Sequence, residues 1–530
     1  MSKWWQIGIV YQIYPRSFQD SNGDGVGDLP GITQRLGYLQ ELGVDAIWIS
    51  PIYPSPMADF GYDVSDYRDI HPLFGTMADM DHLIQAAHDH NLKLILDFVP
   101  NHTSDEHPWF LESRSSRRSP KRDWYIWRDP APDGGPPNNW LSRFDGQSAW
   151  EWDAKTGQYY LHSFLAEQPD LNWRNPELRA AMLDVLRFWF DKGVDGFRVD
   201  VSYRVMKDAQ FRDNPPNPNW QPGMDPAKQV IETYSRNTPD IEHFNRWLRE
   251  VADEYEDRVL IGEINLPPHE LVKHYGRSLN GFHLPFNFNL IFTPWDAAAV
   301  RTLIETYEVA LPDGAWPNWV LGNHDQHRIA SRVGAAQARV AMMLLLTLRG
   351  TPTLYYGDEL GMLDGDIAPE QVQDPWEKKV PGLGLGRDPE RTPLPWTAVP
   401  NAGFCPPDVT PWLPLNADAA AVNVASQQAN PVSMLTFTQK LIQLRRETAA
   451  LNQGSYHSLP APDGLLAYER RHGEQICWVV LNMTGESKKW ELPGDAGETS
   501  VLLSTEAGEL PGIANGALHL RPNEGLVLSV

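Results

Sequence analysis

The sequence predicts an α/β protein built on a (β/α)8 (TIM) barrel, with a subdomain inserted after the third strand and a C-terminal antiparallel β-sandwich. Over the first two-thirds of the chain, short apolar runs alternate with segments of helical periodicity. Such near-continuous apolar strands are typical of a parallel sheet covered on both faces, and about eight units favour a closed barrel. From about residue 452 onward, short alternating strands are separated by turn signals.

The predicted barrel strands follow one another along the chain with helical segments between them. In order they are IGIVYQIY, VDAIWIS, LKLILDFV, VDGFRVD, RVLIGEI, NWVLGNHD and TPTLYYGDE. The intervening segments, such as DMDHLIQAAHDHN and PELRAAMLDVLRFWFDKG, space their apolar residues as amphipathic helices do. The longest apolar run, VAMMLLLTL at residues 340–348, is too short to span a bilayer and is predicted to be a buried helix.

Three long segments interrupt this alternation. Residues 103–173 are rich in Trp, Pro, Asp and Gly and exceed a normal βα loop, so they are predicted to form an inserted subdomain. A second insertion surrounds FRDNPPNPNWQPG, and a third extends from residue 364 to about residue 400. We therefore assign residues 1–102 and 174–451 to the barrel and residues 452–530 to the C-terminal domain. The strands predicted in that domain are LLAYERR, QICWVVLNM, KKWEL, SVLLS and GLVLSV.

The composition and charge of the chain indicate which classes of binding partner are disfavoured. The 530-residue chain carries 45 basic and 69 acidic residues, and the net charge of −24 disfavours nucleic acid and anionic membranes. We expect a small neutral or cationic ligand instead. No cleavage site for a signal peptide follows the N-terminal apolar run, and two cysteines are too few for a disulfide framework. These features favour a cytoplasmic protein and leave its oligomeric state open.

Polar side chains stand at the ends of four predicted strands, where a (β/α)8 barrel has its active site. A carboxylate after a single strand is a helix cap about as often as it is a functional residue. The same pattern on four strands predicts a site. Convergent carboxylates suit glycosidic bond cleavage, in which one carboxyl attacks and another protonates the leaving oxygen. The residues at these strand ends are Asp97, Asn101, His102, Arg198, Asp200, Glu263, Asn323, His324 and Asp325.

These motifs also resemble those of the alpha-amylase family of glycoside hydrolases (family 13), over essentially the whole chain. DFVPNH, GFRVD, GEI and NHD match four ordered family motifs, and QPDLN at residues 168–172 resembles the extra motif of the oligo-1,6-glucosidase and alpha-glucosidase branch. The resemblance implies that Asp200 is the nucleophile, Glu263 the acid/base and Asp325 the stabiliser of the transition state. It also implies substrate-binding roles for Asp59, Tyr62, His102, Phe164, Arg198, Val201, His324 and Arg391.

Within this branch, the resemblance makes Tyr62 a stacking platform for the terminal glucose. Asp59, paired with Arg391, would close the pocket beyond that sugar. It implies a retaining, exo-acting alpha-glucosidase. The expected substrates are small oligosaccharides and other short alpha-glucosides of the maltose and isomaltose type, hydrolysed from the non-reducing end through a covalent glucosyl-enzyme. Transglucosylation is left open. The alternative is a glucosyltransferase or isomerase with the same intermediate, trehalose synthase-like or sucrose-acting. A non-catalytic relative is disfavoured by the complete set of acids.

Linkage preference is left open by the segment after the nucleophile. In the related branch, a valine at the position of Val201 accompanies alpha-1,6 activity, whereas threonine accompanies alpha-1,4 selectivity. However, SYRVMKDAQFRDNPPNP departs from the oligo-1,6-glucosidase pattern and resembles other bacterial alpha-glucosidases. The alternative role for Val201 is simple β-branched packing at a strand end.

The segment DSNGDGVGD places oxygen-bearing side chains at alternate positions between glycines, as in the first half of a calcium loop. The bidentate glutamate of an EF-hand is absent, and a solvated acidic turn is the alternative. The family resemblance implies a structural Ca2+ or Mg2+ ion here, and no organic cofactor is expected. The implied ligands are Asp20, Asn22, Asp24, Asp28 and the carbonyl oxygen of Val26.

Overall fold

The computed structural model describes residues 2–494, 499–508 and 510–530. The strands, in chain order, are β1 (Val10–Ile13), β2 (Ala46–Ile49), β3 (Lys93–Phe98), β4 (Trp127–Arg128), β5 (Trp150–Asp153), β6 (Gln158–Leu161), β7 (Gly196–Val199), β8 (Val259–Gly262), β9 (Leu284–Asn287), β10 (Asn318–Val320), β11 (Thr351–Tyr355), β12 (Ser455–Leu459), β13 (Leu465–His472), β14 (Gln475–Asn482), β15 (Lys488–Glu491), β16 (Ser500–Ser504), β17 (Ala517–Leu520) and β18 (Gly525–Ser529).

The helices, in the same order, are α1 (Trp4–Ile7), α2 (Leu29–Gln34), α3 (Leu36–Leu42), α4 (Met77–Asp89), α5 (Pro108–Ser115), α6 (Pro176–Asp191), α7 (Ile241–Ala252), α8 (Pro268–Leu271), α9 (Asn289–Phe292), α10 (Ala297–Ala310), α11 (Ile329–Val333), α12 (Ala335–Thr347), α13 (Pro375–Lys379), α14 (Val424–Gln428), α15 (Met434–Glu447) and α16 (Ala449–Gln453). No helix of the described residues is long and apolar enough to cross a membrane.

Eight parallel strands close into the predicted barrel. Around the barrel the order is β1, β2, β3, β7, β8, β9, β10 and β11, and β11 pairs with β1. The register pairs Asp97 on β3 with Arg198 on β7, so these two polar side chains stand at the same level of the barrel. One layer of the interior is filled by buried apolar side chains, which include Val10, Trp48, Ile95, Ile261 and Phe286.

Two features of the barrel differ from the sequence analysis. Strand β9 was not predicted, because it is short and contains Pro285, a residue that lacks a backbone donor. In the closed barrel β9 nevertheless has neighbours on both sides, β8 and β10, which overrides its weak local preference. The predicted strand IGIVYQIY is also shorter than expected, because α1 precedes it and β1 begins only at Val10.

The helices begin and end where local chemistry directs them. Asn175 caps α6 by accepting hydrogen bonds from the N–H groups of Glu177 and Leu178, and Pro176 occupies the first helical position. Helix α12 contains the predicted apolar run, and its residues 340–347 are all buried. This buried helix packs against α11 and α15 and against the C-terminal strands β14 and β18.

Smaller sheets lie in the first insertion and at the C-terminus. Strands β4, β6 and β5 form a three-stranded antiparallel sheet within residues 103–173. In the C-terminal part, β12, β13, β14, β18 and β16 form one sheet and β15 with β17 another. Trp478 and Trp490, one from each sheet, meet edge to face with their ring centroids 5.7 Å apart. Strands β12 and β17 were not predicted; β12 (SYHSL) has no buried residue to mark it.

A buried arginine ties α15 to the barrel and to α16. Arg445 is 0% exposed, and its Nη1 donates to the carbonyl oxygens of Leu346 at 2.8 Å and Leu451 at 3.1 Å. Its Nη2 donates to the carbonyl oxygen of Gly350 at 2.6 Å, just before β11. One guanidinium therefore satisfies backbone acceptors from three chain segments that would otherwise be buried without partners.

We expect Arg445→Met to lower the free energy of unfolding by about 3 kcal/mol or more, because each buried carbonyl left without a donor costs about 1–3 kcal/mol. Arg277→Met is the matched control, since Arg277 is 88% exposed and lies 3.6 Å from Glu242. It should change stability by less than about 0.5 kcal/mol. Thermal and urea unfolding followed by circular dichroism measure both, and equal shifts would contradict this role for Arg445.

Candidate active site

The polar strand ends and the insertions enclose one pocket. Its lining includes these predicted residues: Asp59, Tyr62, His102, Phe164, Asp200, Val201, Glu263 and Asp325. The other predicted catalytic or substrate-binding residues, Arg198, His324 and Arg391, lie behind the lining and are each at most 1% exposed. Residues up to 332 positions apart in the chain (59 to 391) thus meet in one place.

Arg198 is the centre of a cluster of three carboxyl groups. Its Nη1 donates hydrogen bonds to Asp97 Oδ1 at 2.9 Å and to Asp200 Oδ1 at 2.7 Å. Its Nη2 lies 2.8 Å from Glu263 Oε2, close enough for an ion pair although it is not aligned as a hydrogen bond. An unpaired guanidinium buried to this degree would cost several kcal/mol, so the three carboxyl groups make the burial of Arg198 possible.

Two buried carboxyl groups of this cluster, Asp97 and Asp200, bind a proton more tightly than free aspartates do. Burial raises the pKa of Asp97 to about 6, although Arg198 opposes the shift. Burial also raises the pKa of Asp200, again against the charge of Arg198. Both carboxyl groups are therefore harder to ionise than free aspartates despite the nearby guanidinium.

The backbone at Val201 holds Glu263. Val201 has φ 33° and ψ 40°, in the left-handed region that β-branched residues avoid. In this conformation its N–H donates a hydrogen bond to Glu263 Oε2 at 2.7 Å, and the Ser202 hydroxyl donates to the Glu263 carbonyl oxygen at 2.9 Å. Strain of this kind costs about 1–3 kcal/mol and is typical of functional sites. Here it orients a carboxylate beside Asp200.

Asp325 is held ionised by two arginines. Its Oδ1 accepts hydrogen bonds from Arg391 Nη2 at 2.8 Å and from Arg387 Nη1 at 3.3 Å. Burial opposes ionisation, but the positive charges around Asp325 hold its pKa below the usual value. Because burial lowers the pKa of His324, that ring is neutral. The two arginines are therefore the main positive charges that lower the pKa of Asp325. His324 Nε2 lies 2.8 Å from the hydroxyl of Tyr62, whose ring stacks on it.

The predicted ion pair between Asp59 and Arg391 is wrong. Asp59 Oδ1 instead accepts a hydrogen bond from Arg387 Nη2 at 2.7 Å, and Asp374 holds the same nitrogen at 2.6 Å. Arg391 turns to Asp325 and to the carbonyl oxygen of His324. The segment GRDPERTP offers two arginines four positions apart, and the 3-10 turn at Pro389–Arg391 directs them to different partners. Spacing could not decide which one faces Asp59.

The QPDLN motif positions two walls of the pocket. Gln168 Nε2 lies 3.3 Å from Asp59 Oδ2 and 3.1 Å from His102 Nε2. Asp170, two residues on, pairs with the buried Lys207 at 2.7 Å. Burial lowers the pKa of His102 to about 4, so its ring is neutral beside the pocket. The motif was visible in the sequence, but its partners are distant in the chain and were not.

Aromatic and polar side chains from the insertions complete the pocket. Arg204, among them, is locked by Glu232 at 2.7 Å. Flat rings beside hydrogen-bonding groups suit the apolar faces and hydroxyls of sugars. Their only signal in the sequence was the abundance of aromatic residues in the long insertions. The lining residues that the sequence analysis did not single out are Arg143, Phe144, Tyr203, Arg204, Asn265, Gln326, Trp376 and Arg387.

The predicted cation loop is a series of tight turns lined by oxygen atoms. Asn22 Oδ1 accepts a hydrogen bond from the N–H of Asp24, and Asp24 Oδ1 accepts one from Val26. Asp28 caps α2 by accepting from the N–H of Gly31 at 2.7 Å. The two oxygens of Asp24 accept one hydrogen bond each and retain acceptor capacity, whereas Asp28 already accepts from the N–H and hydroxyl groups of Ser21 as well as from Gly31. An all-oxygen donor set of this kind fits Ca2+ or Mg2+ better than a transition metal.

The chain is similar to known proteins over most of its length. The family model described as alpha amylase, catalytic domain, matches residues 12–454. A probable alpha-glucosidase of Rhizobium meliloti (strain 1021) is 42% identical over 508 residues, which span 92% of this chain and 91% of that protein. An oligo-1,6-glucosidase of Halalkalibacterium halodurans is 40% identical over 564 residues, 99% of each chain.

A solved structure extends the similarity to the whole molecule. The crystal structure of an alpha-glucosyl transfer enzyme, XgtA, has a TM-score of 0.95 and 41% sequence identity, and the match covers 100% of both chains. Fold, ordered motifs and overall sequence therefore agree, and this chain belongs to the alpha-amylase family of glycoside hydrolases.

Proposed function

We propose that this protein is a retaining, exo-acting alpha-glucosidase that releases glucose from the non-reducing ends of short alpha-glucosides. The observation that carries the proposal is the Arg198 cluster, in which one buried guanidinium holds both Asp200 and Glu263 at the pocket wall. Retaining enzymes need two carboxyls about 5 Å apart, whereas inverting enzymes leave a wider gap for water. Two carboxyls that share one guanidinium favour the narrow spacing.

In the proposed mechanism Asp200 attacks the anomeric carbon while Glu263 gives its proton to the leaving oxygen. The attack forms a covalent glucosyl-enzyme and removes the negative charge of Asp200. Glu263 then takes a proton from water, whose oxygen attacks the same carbon and releases Asp200. The Val201 N–H keeps Glu263 in place during both steps, and ionised Asp325 binds sugar hydroxyls as positive charge develops on the ring.

Exo action is supported by the closed end of the pocket. Asp59 and Arg387 form an ion pair at 2.7 Å, and both side chains are only 7% exposed. Asp374, which is also buried, fixes Arg387 from the other side. A rigid, charged wall of this kind binds the hydroxyls of a terminal sugar and excludes a further sugar beyond it. Chain ends rather than chain interiors are therefore the expected substrates.

Glucosyl transfer is the second candidate function. It is favoured by the similarity of the whole chain to XgtA, an alpha-glucosyl transfer enzyme. Transfer needs only a sugar acceptor in place of water, and Phe144, Tyr203 and Trp376 offer rings on which one could stack. Incubation with maltose, isomaltose, sucrose and trehalose separately, followed by chromatography, distinguishes the two. Constituent monosaccharides as the only products support hydrolysis, and new di- or trisaccharides support transfer or isomerisation.

The loop at residues 20–28 is proposed to bind a structural Ca2+ or Mg2+ ion. Asp20, Asn22, Asp24, Asp28 and the carbonyl oxygen of Val26 would hold it. The proposal is supported by the all-oxygen donor set and by the turns that bring these groups together. The ion would neutralise the local carboxylates and stabilise the loop, and it would take no part in bond cleavage.

The roles of the two acids lead to the first kinetic prediction. Asp200→Asn and Glu263→Gln should each lower kcat by orders of magnitude with little change in the circular dichroism spectrum, because both groups act in the transition state. Asp313→Asn, at an exposed turn, is the control and should retain wild-type activity. Azide should partly restore turnover of an activated aryl glucoside by Glu263→Ala. A rate above about a tenth of wild type in Asp200→Asn would exclude it as nucleophile.

Val201 should influence linkage preference. Threonine is β-branched like valine, so Val201→Thr leaves the strain at φ 33° unchanged and replaces one methyl group by a hydroxyl beside the pocket. We expect the wild type to accept both isomaltose and maltose, and the variant to shift kcat/KM toward maltose by about tenfold or less. Steady-state kinetics on both substrates measures the ratio. No shift, or a shift toward isomaltose, would assign Val201 to packing only.

Removal of the proposed ion should lower thermal stability, because an ion bound only by the folded state stabilises that state by mass action. Excess chelator or Asp24→Ala should therefore lower Tm more than it lowers activity at low temperature. Asp133→Ala is the matched control, since Asp133 makes the same turn, with Oδ1 accepting from the N–H of Gly135 at 2.9 Å. An unchanged melting curve in chelator, together with no metal in elemental analysis, would rule the ion out.

A further inference from the structure

A second group of metal-ligating side chains lies outside the sugar pocket. His327 Nδ1 is 2.9 Å from Asp364 Oδ2 and 3.8 Å from Glu390 Oε2. The ligand atoms of all three residues lie within 4.8 Å of one another. We infer that His327, Asp364 and Glu390 form a binding site for a divalent transition-metal ion such as Zn2+, separate from the oxygen-lined loop at residues 20–28.

Glu390 distinguishes this site from an ordinary histidine–aspartate ion pair. It is 1% exposed, and no described residue makes a hydrogen bond to its Oε2. A buried carboxylate oxygen without a partner is unfavourable, and a cation is the partner that suits it best. Arg391, the next residue, makes no hydrogen bond to this oxygen: its Nε and Nη2 donate to the His324 carbonyl and to Asp325, and its Nη1 has no partner among the described residues. The unpartnered oxygen of Glu390 lies 3.8 Å from His327 Nδ1.

The distances suit a small ion with tetrahedral coordination. Zinc binds nitrogen and carboxylate oxygen at about 2.0–2.2 Å, so two ligand atoms of a tetrahedral site lie about 3.4 Å apart. The observed separations from His327 Nδ1, 2.9 Å and 3.8 Å, lie on either side of that value. A donor set of one imidazole and two carboxylates favours Zn2+ or a similar transition ion over Ca2+ and Mg2+, which prefer oxygen ligands only.

The site is both accessible and pre-oriented. The His327 side chain is 49% exposed and lines a surface cavity with Ile367, Val372 and Pro389, which gives an ion a route from solvent. Asp364 Oδ1 accepts a hydrogen bond from the N–H of Arg328 at 2.8 Å. This bond fixes the carboxylate and leaves Oδ2 directed at His327. Partners of this kind around a ligand raise its readiness to bind metal.

A bound ion would join the two chain segments that support Asp325. His327 follows Asp325 by two residues, and Glu390 immediately precedes Arg391, which donates to Asp325 at 2.8 Å. The ion would therefore fasten the segment after β10 to the third insertion directly behind the pocket. We expect it to stabilise the folded protein and to limit relative movement of Asp325 and Arg391, without contact to substrate.

The test uses Co2+ as a visible substitute for Zn2+. The full-length protein is freed of metal by chelation, dialysed, supplied with excess Ca2+ to occupy any oxygen-lined site, and titrated with CoCl2. We expect the strong visible absorption of four-coordinate cobalt, saturating at one equivalent and lost on addition of Zn2+. Zn2+ should also raise Tm at constant Ca2+. Cobalt in an all-oxygen octahedral site absorbs only weakly, so the two sites are distinguishable.

Substitutions test which residues hold the cobalt ion that gives the visible absorption. His327→Ala and Glu390→Gln should each weaken Co2+ binding by about 100-fold or more. Each removes a direct ligand, and even the loss of a residue that only supports a ligand weakens metal binding by about 10–100-fold. His269→Ala is the matched control, because His269 is 74% exposed and lies 3.7 Å from Glu270 without a third ligand. His327→Ala changes a half-exposed side chain, so it keeps the test decisive if Glu390→Gln fails to fold. Absence of the absorption in the wild type, or its persistence in His327→Ala, would overturn the proposal.

Discussion

The buried positive charge of Arg198 is the interaction on which the active site depends. An uncompensated guanidinium in the barrel would be too costly to fold, so its presence requires carboxylates on the neighbouring strands. Asp97 comes from β3, Asp200 follows β7 and Glu263 follows β8, and all three approach Arg198 within 3.0 Å. Trp48 adds its ring face 5.0 Å from the guanidinium carbon. The charge that holds the barrel mouth together also opposes the effect of burial on the pKa values of Asp97 and Asp200.

A second network of charges closes the pocket and joins separate parts of the chain. Arg387 and Arg391 both lie in the third insertion, whereas their partners Asp59 and Asp325 follow β2 and β10. The insertion therefore completes the pocket only after it has folded onto the barrel. The arginines that fix the pocket wall also act against the effect of burial on Asp325 and help to hold its pKa below the usual value.

Hydrolysis and glucosyl transfer would use the same carboxylates, so the difference between them lies in the walls around the acceptor. Those walls come from the first insertion, the segment after the nucleophile and the third insertion, which together supply Phe144, Tyr203 and Trp376. Val201, whose backbone is held in the left-handed conformation, lies beside both Glu263 and the pocket. Its N–H donates to Glu263 Oε2, and the residue also lines the pocket.

The sequence by itself determined the barrel, the order of most strands and the acids at their ends, because apolar periodicity and ordered motifs are local signals. Seven barrel strands were visible in this way. Strand β9 was not, because its proline opposes a strand locally and only closure of the barrel supplies its partners. The polar residues after the strands were recognisable because a barrel brings the carboxyl ends of its strands to one face.

Tertiary structure decided the contacts between distant segments. It paired Asp59 with Arg387 rather than with Arg391, and it placed Gln168 between two walls of the pocket. It also brought His327, Asp364 and Glu390 close together. Neither residue type nor spacing contains this information, because a loop can present each of several similar side chains to the same partner. The path of the folded loop makes that choice, through the burial of charge and the hydrogen bonds it must satisfy.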